Sequence, residues 1–486
     1  MAGSYDTFDT NAAVSGTRDK ISYAVSGRYA VTDGYRDNSG SESKDVGANL
    51  NYYAADWMEL AFSTDYHKDS TELPGGLKES DFERGASRTD TVNPDNFADV
   101  EDYFFKAGPR FFFLNDSRFT ADASYRERSS TFDITFSGGT FTGDTDIETI
   151  TVSPQFIIKE KVSGFENSLT IGFDFEKAEE DIENISVFFG DKTIGTFELE
   201  KENMGYYIYD EFKPNEDLAV SAGYRFDRAE FTFDPGTPDH VTQDENAYNF
   251  GASYTFYGDS YIYAGYSRSF RYPVLDEFFN FTTNTVNTEL VPQTSDDFEL
   301  GIRHYFTDSF YTQINFFRID TEDEIFYNPF TFSNENLDGE TRRQGVEFTI
   351  SKNFRKLSLS GSYSYTDAEI RDGDFEGNEI PNVPEHKASF KSVYALGNFL
   401  MTLTGIYVGE RPFDADFNNE FNEVDDFFVL NAKLQYKWKQ FTPFIDLKNI
   451  TNEQYSEYGV LGGFPLEPAF YPSPRFNFLA GLTCQF

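Results

Sequence analysis

Three groups of residues have types and spacings that could do chemistry or hold a ligand. The first is "DADFNNEFNEVDD" (414–426), which sets Asp414, Asp416, Asn418 and Glu420 at alternate positions. Hard oxygen donors crowded on one loop can hold Ca²⁺. The EF-hand pattern fails, because Asn419 stands where Gly is needed and Asp425 where Glu is. A solvated acidic loop is the alternative. The second group is aromatic. "RYPVLDEFFNF" (271–281) and "FPLEPAFYP" (464–472) supply Tyr272, Phe278, Phe279, Phe281, Phe464, Phe470 and Tyr471. Exposed, these rings would form a surface able to grip a siderophore, corrinoid or glycan. Otherwise they pack loop against loop or form an interfacial girdle. The third group is His67, His240, His304 and His386, which have no His or Cys at metal-ligand spacing. Ser and Asp are so abundant that no nucleophile–base pair stands out. The sequence therefore implies no catalytic cofactor and no enzyme.

The elements that must position these residues read as strands. In "LSLSGSYSYT" (357–366), Leu357, Leu359, Gly361, Tyr363 and Tyr365 share one face and Ser358, Ser360, Ser362, Ser364 and Thr366 the other. "ISYAVSGRYAV" (21–31) and "FLMTLTGIYV" (399–408) alternate in the same way. Period 2 over about ten residues is the length of a tilted strand crossing a bilayer. The chain ends "RFNFLAGLTCQF", with Phe476, Phe478, Ala480, Leu482, Cys484 and Phe486 on one face. Apolar alternation that runs to a terminal Phe suits a last lipid-facing strand.

Composition agrees. The 486 residues include 55 Phe and 31 Tyr, yet mean hydropathy is −0.54. No run of apolar residues is long enough for a transmembrane helix. In a membrane barrel only every second residue meets lipid, so the average stays polar. A large soluble all-β protein such as a propeller is the alternative on composition alone. The connections then separate the two. Compact turns such as "GTRDK" (16–20), "AADW" (54–57), "YGDS" (257–260) and "LGN" (396–398) alternate with long polar segments. Those segments lie near 33–43, 67–100, 131–146, 178–203, 231–243, 269–293, 320–342, 367–384, 409–425 and 450–472. Short connections at one end and long loops at the other are the mark of an outer-membrane barrel. The count predicts an all-β, transmembrane antiparallel barrel with about 21 strands visible.

Formal net charge is −43, from 83 Asp and Glu against 40 Lys and Arg. That disfavours nucleic acid as a partner, since phosphate binding needs a basic surface. It also makes a strongly anionic ligand less suited to these loops. A single Cys484 allows no internal disulfide.

Six segments, in order, resemble the TonB-dependent receptors, outer-membrane transporters of Gram-negative bacteria. "SYIYAGYSRSFRYPVLDEFF" (260–279) is similar to the family's mid-barrel strand leading into an Arg–x–Pro loop. "ELVPQTSDDFELGIR" (289–303) resembles its Leu–x–Pro–Glu…Glu–x–Gly segment, with Gln293 where Glu is usual. "NLDGETRRQGVEFTI" (336–350), "NVPEHKASF" (382–390) and "FIDLKNITNEQYSEYG" (444–459) resemble later strands and loops. "YPSPRFNFLAGLTCQF" (471–486) resembles the terminal strand. The resemblance implies a barrel of 22 strands in the outer membrane, contacting lipid and taking up a scarce nutrient such as a ferric siderophore or corrinoid. It further implies a plug domain whose leading segment couples to TonB. Neither plug nor coupling segment is visible, so the resemblance covers the barrel, 1–486. A plugless passive pore and a non-transport surface binding protein are the alternatives. Counting back from Phe486 makes residues 5–16 a strand running toward the turn end. "MAGS" then reads as the last residues of a preceding strand, and the chain as a fragment lacking signal peptide, plug and most of that strand.

Overall fold

A computed structural model describes every residue except 115, 137, 281, 282, 284, 330, 464 and 465. Among the described residues, 22 strands form one closed antiparallel sheet. Alternation produces this directly. Tyr23, Val25, Leu359, Tyr363, Phe390, Met401 and Phe478 are each about 40% exposed and all point outward, while Ser22, Ser26, Ser360 and Ser389 point inward. Such a belt of large apolar side chains has no place on a water-soluble surface and suits lipid. The inner wall is polar and cross-linked. Arg28 pairs with Asp9, Arg110 with Glu59, Lys106 with Asp122, and Arg225 with both Asp174 and Asp227.

Closure rests on a very short strand, Ala2–Gly3. Ala2 stands opposite Phe8 on one side and Ala480 on the other, and Gly3 opposite Leu479. "MAGS" thus occupies the strand position read from the sequence and brings the count to 22.

Tight connections at the turn end use left-handed backbone. Asp19, Ser163, Gly164, Gly258 and Gly397 all have positive φ, between 53° and 92°. At the loop end the sequence reading needs correction. Segments 131–146, 178–203 and 231–243, expected as loops, are largely strand. Strands Gly139–Val162 and Phe165–Phe188 have 24 residues each, and Asp191–Lys213 has 23. Phe188 joins Asp191 through only Phe189 and Gly190, with φ of 48° and 95°. That is the mirror-image turn that hairpins favour. Alternation persists through these segments, but with carboxylates rather than apolar groups outside. Glu127, Glu148, Glu179 and Glu200 lie directly opposite one another across four adjacent strands. Asp146, Asp181 and Glu198 form the next row. Lys177 ties Glu179 to Glu200 at 2.7 and 3.1 Å. The result is a tall acidic wall rising past the apolar belt.

The true loops make small cores of their own. One is built from Ile182, Phe197, Leu199, Phe231 and Phe233 of the tall wall and Tyr272, Leu275, Phe278, Phe279 and Leu290 of the loop beside it. A second joins Leu337, Ala368, Ile370 and Ile380, and a third Phe413, Val424 and Leu461.

Candidate ligand site at the loop end

The aromatic residues singled out in the sequence fall into two places. Tyr272, Phe278 and Phe279 are 8%, 0% and 2% exposed. Phe278 packs 4.9 Å from Phe231 and 5.0 Å from Phe233, ring centre to ring centre. The Tyr272 hydroxyl donates to the Gln243 carbonyl at 3.3 Å. These rings therefore pack a loop against the wall and present no surface to solvent. Phe470 packs edge-on against Phe413 at 5.2 Å, and Tyr471 is 37% exposed. Phe281 and Phe464 lie outside the described residues.

The buried loop core also holds an acid. Glu180 is 1% exposed, and neither of its carboxyl oxygens receives a hydrogen bond. Burial first, and then the neighbouring Asp276 carboxylate of the loop, pushes its carboxyl up to about 10. It therefore sits there as the neutral acid at neutral pH.

The candidate Ca²⁺ ligands do not converge. Asp416 is 2% exposed, and its two oxygens accept the Glu420 and Phe421 amides at 3.1 Å each. Asp414 accepts the Tyr458 hydroxyl and the Ala415 amide. Among the described residues no three His, Cys, Asp or Glu are arranged to hold a metal. Expectation and structure differ because loop carboxylates close turns by bonding nearby amides.

Sequence reasoning missed a cavity of about 680 Å³ in the barrel wall at the loop end. Strand register assembles it. Lys387 stands opposite Val408, and Val408 opposite Phe427. Lys448 stands opposite Asn477. These positions face the lumen, since the alternate residues Phe390, Phe428 and Phe478 are about 40% exposed on the outer face. Phe427, Val429, Ile406 and Tyr455 give the cavity an apolar flank. Lys387, Arg411, Lys448 and Glu457 supply its charges. Arg411 is 3% exposed and lies over the Phe427 ring at 5.9 Å. Its guanidinium donates to the carbonyls of Ser456 at 3.2 Å and Glu457 at 2.5 Å. Burial holds its pKa below the usual arginine value. Arg88 grips the same segment from the other side, donating to the Tyr455 carbonyl at 2.5 Å and the Ser456 hydroxyl at 3.3 Å. Lys387, Arg411 and Lys448 span 62 residues of sequence with no shared motif. Only the register signals their meeting.

The family model described as TonB dependent receptor-like, beta-barrel matches residues 2–450. The chain belongs to this family. As a TonB-dependent receptor barrel it is an outer-membrane protein. The vitamin B12 transporter BtuB of Vibrio cholerae serotype O1 is 24% identical over 238 residues, 48% of this chain and 37% of the transporter. The chain thus spans little more than a third of that relative. Among solved structures, the unliganded ferric citrate transporter FecA superposes with a TM-score of 0.84 at 17% identity, over 99% of this chain and 76% of its own. The ferric yersiniabactin uptake receptor FyuA of Yersinia pestis gives 0.85 at 14% identity, over 100% and 79%. At such identities the likeness shows the fold.

Proposed function

We propose that this barrel is the membrane part of an outer-membrane nutrient receptor. A ligand binds at the loop end and passes inward along the polar lumen, in a step driven through TonB by a plug domain. The observation that carries this reading is the lumen-facing cavity beneath packed loops in a barrel of this family. A closed sheet of 22 strands is too wide for side chains to fill, so the lumen can hold a plug or a solute path. The relatives' names support a scarce metal chelate or corrinoid as cargo.

The test compares cells carrying the intact gene with a deletion strain for uptake of ferric chelates and cobalamin, with and without a protonophore. Loss of uptake of one nutrient in the deletion strain, and in the parent under protonophore, is the expected result. Uptake that survives the protonophore would make the barrel a passive pore. Equal uptake in both strains would make it a surface binding protein.

A further inference from the structure

We propose that the upper edge of the strand Asp191–Lys213 takes up an extended segment of another protein as an added β-strand, with cationic residues at the segment's lower end. The proposal goes beyond nutrient uptake and uses a surface above the membrane, outside the lumen.

The geometry starts from unequal neighbours. On one side Asp191–Lys213 is paired from its first residue, with Asp191 opposite Phe188. On the other side the strand Leu218–Asp234 reaches only as far as Glu198, opposite Asp234. Residues 191–197 therefore form a ledge with one bare edge. Phe188 and Asp191 flank a two-residue turn, so their main-chain groups bond each other. Every second residue then turns its N–H and C=O the opposite way, and on the ledge these are Lys192, Ile194 and Thr196. All three are exposed, and among the described residues none of their outward main-chain groups has a partner. The far edge of the same wall is treated differently. Strand Ser117–Phe136 overhangs its neighbour above Asp133, which stands opposite Phe97. There the Thr135 amide donates to the Asn96 side-chain oxygen at 2.8 Å. One overhang is capped and the other is left open. The open one is also held firm from behind, where Phe279 packs 4.5 Å from Phe197. A rigid bare edge is a template for strand addition.

Charge and side-chain pattern select the occupant. Leu218–Asp234 runs antiparallel to the ledge, and an added strand continues its line upward. The foot of that path is acidic: Glu198 stands opposite both Asp234 and Asp181, and Glu183 opposite Thr196. All four carboxylates are exposed. Higher up the outer face is apolar, with Ile194 opposite Ile185 and Val187 opposite Lys192. Ile194 is 57% exposed and Phe189 of the turn 90%. The fitting segment thus begins with cations and continues with β-branched residues at alternate positions. A second copy in the same membrane fits poorly. It is related by an axis along the membrane normal, and with strands tilted about 40° its edge crosses this one.

The test uses the full chain extracted from outer membranes and the peptide acetyl-Lys-Arg-Thr-Val-Thr-Val-Thr with a rhodamine at its C-terminus, read by anisotropy. Saturable binding is expected, with slower amide exchange over 189–198. N-methylation of Arg and both Val, whose amides face the edge, should weaken binding more than tenfold. N-methylation of the Thr residues should leave it within threefold. Glu in place of Lys and Arg should weaken the peptide at least tenfold, and Glu198→Lys in the receptor should reverse that preference. Ile194→Pro removes an outward N–H and no bond to the strand behind, and should abolish binding. Retained heat-modifiable mobility on gels shows that each variant is folded. No saturable binding up to about 1 mM, equal effects of the two methylation patterns, equal binding of the acidic peptide, or full binding by Ile194→Pro would overturn the proposal. Protection of 189–198 that rises with receptor concentration and needs no peptide would make the occupant a second copy and overturn it too.

Discussion

Replacing Glu180 by Gln should change how the tall wall responds to pH. The carboxyl is fully buried against a loop of hydrophobic residues, and its pKa is pushed up to about 10. In an opened segment it returns to roughly 4.3. The folded wall therefore holds a proton that the opened wall releases at neutral pH. Linkage then fixes the sign: the closed state is most favoured below the opened-state pKa and loses stability as pH rises toward the folded-state value. Full linkage is about 1.4 kcal/mol per pH unit, so roughly 3 kcal/mol is lost between pH 5.5 and 8. Gln keeps the shape and a donor toward Asp276 but cannot ionise. The assay is amide exchange across 178–200 and 272–280, corrected for the intrinsic pH dependence of exchange. Wild type should lose protection over that range, whereas Glu180→Gln should hold it flat and match wild type within about 1 kcal/mol near pH 5. A wild-type profile that does not change with pH, or a Gln variant with the same slope, would refute the reasoning.

Other expectations concern the two faces of the sheet and the loops. Arg at Leu359 or Leu403 should destabilise the barrel by roughly 2–4 kcal/mol if the site lies near the bilayer midplane, while Arg at Ser360 should cost little, both read by urea titration in vesicles. Phe278→Ala removes a ring that is 0% exposed. It should cost the loop core about 3–5 kcal/mol, seen as faster protease nicking within 272–292 with heat-modifiable mobility intact. The facing rows Glu127, Glu148, Glu179, Glu200 and Asp146, Asp181, Glu198 repel across the strands. Each like pair costs about 0.2–1 kcal/mol. Amide exchange over 140–200 should therefore slow between 20 and 500 mM NaCl, and unchanged exchange would mean the rows are already neutralised.

Legibility in the sequence followed the scale of the interaction. Strand alternation is local, so the belt at Tyr23, Leu359, Met401 and Phe478 could be read residue by residue. The strand count could be read too, including the place of "MAGS". The long hairpins were missed because polarity was taken as the sign of a loop. Glu179, Asp181 and Glu183 are outward strand positions beyond the membrane, where water replaces lipid and alternation carries charge. The burial of Tyr272, Phe278 and Phe279 depends on wall segments some 40 to 80 residues earlier. Asp416 shows a different limit. Its type suits metal and amide alike, and only the fold puts the Glu420 and Phe421 amides on its oxygens. The cationic cavity was hidden behind the net charge, because an average over 486 residues says nothing about three of them.

The uneven strand lengths give the mouth a direction. A strand of 24 residues is about 80 Å long, and about 60 Å tall when tilted near 40°. Phe441–Lys448, with 8 residues, barely crosses the apolar band. Around the ring of 22, the cavity strands lie half a circumference from the tall ones. The strand rim is thus a screen on one side and a low sill on the other, the sill roofed by the loop core of Phe413, Val424 and Leu461. The outer face of the screen is dense with carboxylates and turned away from the lumen. The sill side carries Lys387 and Lys448. Diffusing anions are repelled from the back of the screen. Capture then depends on the angle of approach as well as on contact. Lowering the screen by shortening its hairpins would change the association rate and its salt dependence while leaving dissociation alone.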